Sequence, residues 1–259
     1  ILPPDEYSLS VRHPRRESFS EPRVDLIPGA PPPQRLEMSA PAILRFNVKG
    51  EGGQGMPAKV SMVGKGKTKT PSLGPKFATT TGAMGYVFTA TGQGEIAIPP
   101  GNYEITISRG IEYSIHKEDI ILGAGESISL DATLKREVNT GGYIAADLHQ
   151  ASLHSSDSAV PLKDVLIANL AEGVEVMVGA DEQYIPDYAP FLKALGAEDE
   201  LKVIPGAVIK VPGVGSFSAF PISPNPGAPG NGAPWVKSGS SPHEVLKALA
   251  GPEGTPLRV

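Results

Sequence analysis

The run Gly141-Gly142-Tyr143-Ile144-Ala145-Ala146-Asp147-Leu148 marks a change of pattern along the chain, and the residues on its C-terminal side decide the fold. Tyr143 to Leu148 reads as a strand. Residues 160–172 then place Leu162, Val165, Leu166, Asn169 and Leu170 at helical spacing, with Ser158 as the expected cap and Pro161 in the first turn. Val174 to Val178 reads as a second strand, Asp187 to Leu195 as a helix closed by Gly196, and Leu201 to Ile204 as a third strand. Strand, helix, strand, helix, strand at this rhythm predicts parallel pairing with right-handed crossovers, an α/β domain over 141–259.

Upstream the period changes from helical to alternating. Ile43–Val48, Ala58–Val63, Gly85–Thr89, Glu95–Ile98, Tyr103–Ser108, His116–Leu122 and Ser127–Leu134 are short alternating runs separated by Gly, Pro and Asn clusters. They predict an antiparallel β-sandwich over 41–140. Residues 1–40 carry Pro31-Pro32-Pro33 and little periodicity, and read as an extended proline-rich arm lying on something else. Downstream, the Gly- and Pro-rich stretch 212–235, which ends at the single Trp235, reads as a long ordered loop. A helix is expected next at Pro242 to Leu249, and Leu257-Arg258-Val259 reads as the start of a further strand.

Composition narrows the classes. The 259 residues include 30 Gly and 27 Pro but no Cys, which removes disulfide frameworks, thiolate nucleophiles, Zn-thiolate sites and iron–sulfur clusters. No apolar run approaches the roughly 20 residues of a membrane-spanning helix. The net charge of −5 is concentrated in 143–259, where seven Lys and Arg face thirteen Asp and Glu. The one basic cluster, Lys59, Lys65, Lys67, Lys69 and Lys76, has no interleaved aromatic and reads as a solvated loop or edge strand. Nucleic acid is therefore not an expected partner.

Potential chemistry gathers after the first two α/β strands. Asp147, His149, His154, Ser155, Ser156 and Asp157 follow one, and Asp181, Glu182 and Tyr184 follow the next. Carboxyl ends of neighbouring parallel strands are where sites form in such folds. No Gly-x-Ser-x-Gly elbow accompanies Ser155 and Ser156, which argues against a serine hydrolase. The Gly50–Gly55 stretch lacks the Lys-Ser/Thr and helix of a phosphate loop.

Tyr143-Ile144-Ala145-Ala146-Asp147-Leu148-His149, Ser155-Ser156-Asp157-Ser158, Ala171-Glu172-Gly173-Val174-Glu175 and Gly179-Ala180-Asp181 together resemble the opening of the PHP (polymerase and histidinol phosphatase) metallohydrolase superfamily, in its CehA/McbA-like branch. Ile98-Pro99-Pro100-Gly101-Asn102-Tyr103 and Arg109-Gly110-Ile111-Glu112-Tyr113 are similar to the sandwich that precedes the catalytic domain in that branch. The resemblance implies a distorted β/α barrel, of which 141–259 would be a truncated part, and two or three metal ions activating water against a phosphoester or related bond. It also implies which ligands are changed. His149 matches the first His of a His-x-His pair and Ala151 replaces the second. Asp181 matches an Asp-His pair in which Glu182 stands for the His, while Val208 and Ser216 stand where a bridging Glu and a further His belong.

The expected fold is thus mixed: an N-terminal antiparallel β-sandwich followed by a partial PHP-like α/β domain with a degenerate metal site. The metal candidates are His149, Asp181 and Glu182, which would hold at most one residual divalent ion such as Zn or Mn. Two readings of His149 stay open, a ligand in that residual site or a buried histidine bonded to Asp181 or Glu182. The expected function is a non-catalytic binding or structural subunit. The alternatives are a metal-dependent phosphoesterase with an atypical ligand set, and a surface or carbohydrate-binding module working through the sandwich. An open barrel sheet leaves unpaired edge groups, so a protein partner, or the remainder of a longer polypeptide, is expected to cover the edge. The resemblance and the non-Met start point to a periplasmic or extracellular protein.

Overall fold

The computed structural model describes residues 5–13, 15–25, 38–73 and 80–249. Two compact units divide the chain: residues 1–108 with 114–135, and residues 109–113 with 136–259. Pro31–Pro33, Lys76 and the Leu257–Val259 strand lie outside the described residues.

The first unit begins with β1 (Glu6–His13) and β2 (Arg16–Asp25), which pair antiparallel with one another. Within the stretch read as an extended arm, these two strands therefore form an antiparallel pair. Tyr7 pairs with Val24 and Leu9 with Glu21, so β2 carries one extra residue at Pro22-Arg23. A proline has no N–H to give a ladder, and a bulge accommodates it.

The sandwich strands are β3 (Ala42–Gly50), β4 (Ala58–Gly64), β5 (Thr80–Ala83), β6 (Tyr86–Thr89), β7 (Gln93–Ile98), β8 (Gly101–Ser108), β9 (His116–Leu122) and β10 (Ser127–Leu134). All seven alternating runs are strands, and β5 is the addition. One sheet runs β5-β6-β4-β8-β9, antiparallel throughout. The other runs β10-β3-β7, and there the antiparallel expectation is corrected: β10 lies parallel to β3 along its whole length, Ser127 opposite Ile43 to Leu134 opposite Gly50. The inner strands bury alternate residues, among them Leu44, Phe46 and Val48 on β3 and Tyr103, Ile105 and Ile107 on β8. Burying one such aliphatic side chain is worth about 1.5–3 kcal/mol. Tyr103 keeps its polar end satisfied by donating to the Pro99 carbonyl at 2.7 Å. Lys59 departs from the edge-strand reading, since β4 is the central strand and the Lys59 ammonium lies over the Tyr86 and Phe88 rings at 5.1 and 5.8 Å.

The second unit carries β11 (Ala146–Gln150), α1 (Leu162–Ala171), β12 (Val176–Glu182), α2 (Ala189–Leu195), β13 (Lys202–Val211), β14 (Gly215–Ala219) and α3 (Pro242–Leu249). Its sheet runs β11-β12-β13-β14, the first three strands parallel and the last antiparallel. The parallel α/β reading is met by these pairings. Two local expectations are corrected. The stretch 212–235 is not all loop: β14 folds straight back on β13, because Val211-Pro212-Gly213-Val214 makes a tight turn, Val214 N donating to Val211 O at 3.0 Å. Ser158 does not cap α1, whose cap position is Pro161; the Ser158 hydroxyl accepts from Val160 N instead.

Leu162, Val165, Leu166 and Leu170 of α1 pack with Met177, Tyr188, Leu192 and Leu201 on one side of the sheet. Gly196 ends α2 at φ 64°, a left-handed conformation that suits Gly. At Gly179 the demand is space, because a Cβ there would lie 2.8 Å from the Tyr188 ring. Helix α3 starts with a capping box, Glu244 Oε2 accepting from Ser241 N at 2.7 Å while Ser241 Oγ accepts from Glu244 N at 3.3 Å. These bonds hold the Glu244 carboxyl below its usual pKa, the Ser241 backbone N–H contributing most. Val245 and Leu249 then meet Ile209, Val211 and Ala219.

Candidate functional site

Consecutive residues of a strand point to opposite faces of its sheet, and β12 applies this rule to the two acidic candidates. Asp181 shares a face with Met177 and Gly179, the helix side. Glu182 shares the other face with Val178 and Ala180, which cluster with Val208, Ile204 and Phe220.

Asp181 is fully buried and closes a local hydrogen-bond set. Its Oδ1 accepts from Ser152 N at 2.5 Å and its Oδ2 from Ser152 Oγ at 2.7 Å. Tyr188 lies buried beside this pair. Burial, with the Asp181 carboxylate nearby, holds the Tyr188 phenol well above its ordinary pKa. The loop after β11 is thereby fastened to the end of β12. Ser155 tightens the attachment: its hydroxyl accepts from Glu182 N at 3.3 Å and donates to Asp157 Oδ1 at 2.7 Å. That last bond, with the Lys210 and His149 charges nearby, keeps the exposed Asp157 carboxyl below its usual pKa.

Glu182 is occupied on the other face. Its carboxylate pairs with the Lys210 ammonium and accepts from the Ser156 hydroxyl. The His149 ring is neither buried nor bonded to Asp181 or Glu182: it is exposed on β11, with Nδ1 3.4 Å from Ser218 Oγ, while the backbone N donates to Asp147 Oδ1 at 3.0 Å. His154 stacks on Tyr184 with ring centroids 4.2 Å apart.

The donors do not fit a metal centre. Both Asp181 oxygens already accept hydrogen bonds in a closed pocket, and Glu182 is neutralised by a lysine. Among the described residues, no three His, Asp or Glu side chains come together to hold an ion. Val208, standing where the resemblance implies a bridging carboxylate, is 5% exposed and belongs to the apolar cluster with Val178 and Ala180. What the arrangement supplies is fastening: two serines and two acids pin a loop, with a mixed rim of Lys210, His149, Ser156 and Ser218.

Sequence reasoning missed Ser152, Lys210, Ser218 and Tyr188. Lys210 had a usable signal, since it sits two residues after Val208 and so shares Glu182's face once β13 extends past Ile204. Away from this rim, residues 136–143 and Glu175 line an open cavity of about 440 Å³. Its wall is held by an ion pair between Arg136 and Glu112, with Thr140 donating to Glu112 Oε1 at 2.6 Å.

No family model matches the chain, and no curated protein sequence matches it. Among solved structures it is similar in part to GBS52, a minor pilin of Streptococcus agalactiae, at 13% identity and TM-score 0.32, over 53% of this chain and 63% of that one. The Bacillus anthracis TIE protein gives 11% identity and TM-score 0.26, over 60% of this chain and 27% of that one. Phospholipase PlaB from Legionella pneumophila gives 9% identity and TM-score 0.25, over 53% and 32%. The chain spans less than two thirds of each of these structures. No helix among the described residues is long and apolar enough to cross a membrane.

Proposed function

We propose that the chain is a non-catalytic binding or structural subunit whose second unit is a partial PHP-type domain without a working metal centre. One observation carries the reading: Asp181 and Glu182 face opposite sides of β12, one closed on Ser152 and the other on Lys210. The consecutive strand order β11-β12-β13, with a helix in each connection, supports the barrel-type part of the reading. The exported location belongs to it as well, on the resemblance alone.

Elemental analysis tests it. The full chain, incubated with Zn and Mn and then dialysed, is expected to retain less than one equivalent of either. Two retained equivalents whose loss follows His149→Ala and Glu182→Gln would overturn the reading in favour of a metal-dependent hydrolase.

A further inference from the structure

The cavity at residues 136–143 is lined wholly by the second unit and takes no part in the β12 arrangement. Its wall is one continuous loop closed by Glu175, and backbone bonds fix that loop. Glu137 N and Val138 N both donate to Glu112 O, at 2.9 and 3.1 Å. Tyr143 N donates to Thr140 O at 2.9 Å, and Gly141 N to Asn139 Oδ1 at 3.0 Å. Glu175 is held in turn, its Oε2 accepting from Ala145 N at 2.9 Å. At about 440 Å³ the space falls within the roughly 300–1,000 Å³ of small-ligand sites.

The charges around this cavity do not cancel. Arg136 is occupied, since it pairs with Glu112 and donates to Thr140 Oγ1 at 2.7 Å. Glu112 is occupied as well, its Oε1 accepting from Thr140 Oγ1 at 2.6 Å. Glu137, by contrast, is exposed and has no partner among the described residues, and the exposed Glu175 uses only one of its two oxygens. The lining is therefore left with two uncompensated carboxylates and the Tyr143 ring, which is 81% exposed. An anion would meet repulsion from both acids, and a neutral ligand would answer neither. A metal ion fits poorly, because hard cations take six or so oxygen ligands and no three His, Asp or Glu side chains converge among the described residues. An organic cation satisfies both acids, and the face of an aromatic ring attracts it too.

We propose that this cavity binds an organic cation, an ammonium or guanidinium group, with Glu137 and Glu175 as its charge partners and the Tyr143 ring as its platform. Such a group arrives either on a free amine or on a Lys or Arg side chain of a partner protein. The wider charge pattern favours the side chain: residues 143–259 carry thirteen acids against seven bases, a field that draws basic partners. The inference rests on the binding-subunit reading and names what such a subunit holds. It involves no metal and none of His149, Asp181 and Glu182, so its failure and that of the functional reading are separable.

Titration of the full chain with butylammonium chloride, followed by backbone amide chemical shifts against matched sodium chloride, is the test. The amides of residues 137–143 and 175 should move together and saturate, with a dissociation constant on the order of 1–10 mM. Glu137→Gln and Glu175→Gln should each weaken binding about two- to fivefold, as exposed charge pairs do. Tyr143→Ala should weaken it about as much, whereas Tyr143→Phe, which keeps the ring, should not. Added salt should weaken it further. A capped Gly-Lys-Gly peptide carries the same cation on a backbone: binding at least as tight as butylammonium upholds a partner side chain as the source, and weaker binding upholds a free amine. No saturable shift below about 50 mM, the same shifts with sodium butyrate, full displacement by an equal concentration of calcium, or unchanged affinity when both glutamates are replaced each overturns the proposal.

Discussion

Strand β3 of the sandwich and strand β12 of the α/β unit bury their residues in different ways, and the contrast explains where the chain could be read and where it could not. β3 alternates, every second side chain from Ala42 to Gly50 buried and those between them more open. β12 buries Met177, Val178, Gly179, Ala180 and Asp181 in succession. A strand with one wet face writes its orientation into its polarity pattern. A strand covered on both faces does not. On β12 the side facing the helices and the side facing Phe220 are both apolar, so the sequence Gly179-Ala180-Asp181-Glu182 carries no mark of which acid goes where.

Four measurements sharpen or break that contrast, the largest effect first. Emptying either core should cost about 2–5 kcal/mol, so Ile105→Ala in the sandwich and Leu166→Ala on α1 are expected to lower stability comparably in denaturant titrations. A sandwich variant with no effect would mean that the alternating pattern does not report its core. Next comes Asp181→Ala, which strands the Ser152 N–H and hydroxyl in a buried pocket. The expected loss is about 1–3 kcal/mol, together with faster hydrogen exchange through 151–158. Third, replacing Gly196 with Ala puts a Cβ on a left-handed residue and should cost about 1–2 kcal/mol. The smallest change is Lys210→Ala. The pair with Glu182 has its lysine half exposed, so less than about 1 kcal/mol is expected, and salt should erase most of it. If Lys210→Ala cost more than Asp181→Ala, the assignment of the helix side as the tightly closed face would fail.

Tyr188 adds a pH dependence to the same comparison. Its folded pKa is raised above the unfolded value of 10.0, so the neutral phenol is the form that the fold holds. Below the unfolded value this contributes fully. As pH rises past it, the unfolded chain gives up its proton first and stability falls. Alkaline melts of the wild type should therefore drop more steeply above about pH 10 than those of Tyr188→Phe.

The legible parts of the molecule were those with period and punctuation. Alternation marked seven sandwich strands. The Leu162, Val165, Leu166, Leu170 spacing gave α1, and α3 lies where a helix was expected, Pro242 to Leu249. Pairing partners were less legible, because no single strand records that β10 will lie parallel to β3. β14 escaped because Gly215-Ser216-Phe217-Ser218 alternates for only a few residues inside a Gly- and Pro-rich stretch. At the site, reading brought His149, Asp181 and Glu182 to neighbouring strand ends. It could not see that one strand step sends Asp181 to Ser152 and Glu182 to Lys210, nor that Tyr188, seven residues beyond Asp181, folds back under it.

The parallel pairing of β10 with β3 has a consequence for synthesis. β3 is the central strand of its sheet, and β7, already made by residue 98, can dock on one side of it. Its other side waits for residues 127–134. During translation the nascent sandwich must hold Leu44 and Phe46 in a half-built sheet for more than thirty further residues, at about 5–20 residues per second. Closure then joins segments far apart in sequence, which places this unit among the slow folders, in the millisecond-to-second range. The interval between residues 98 and 134 is when the growing chain is most open to capture by a chaperone or by another nascent copy.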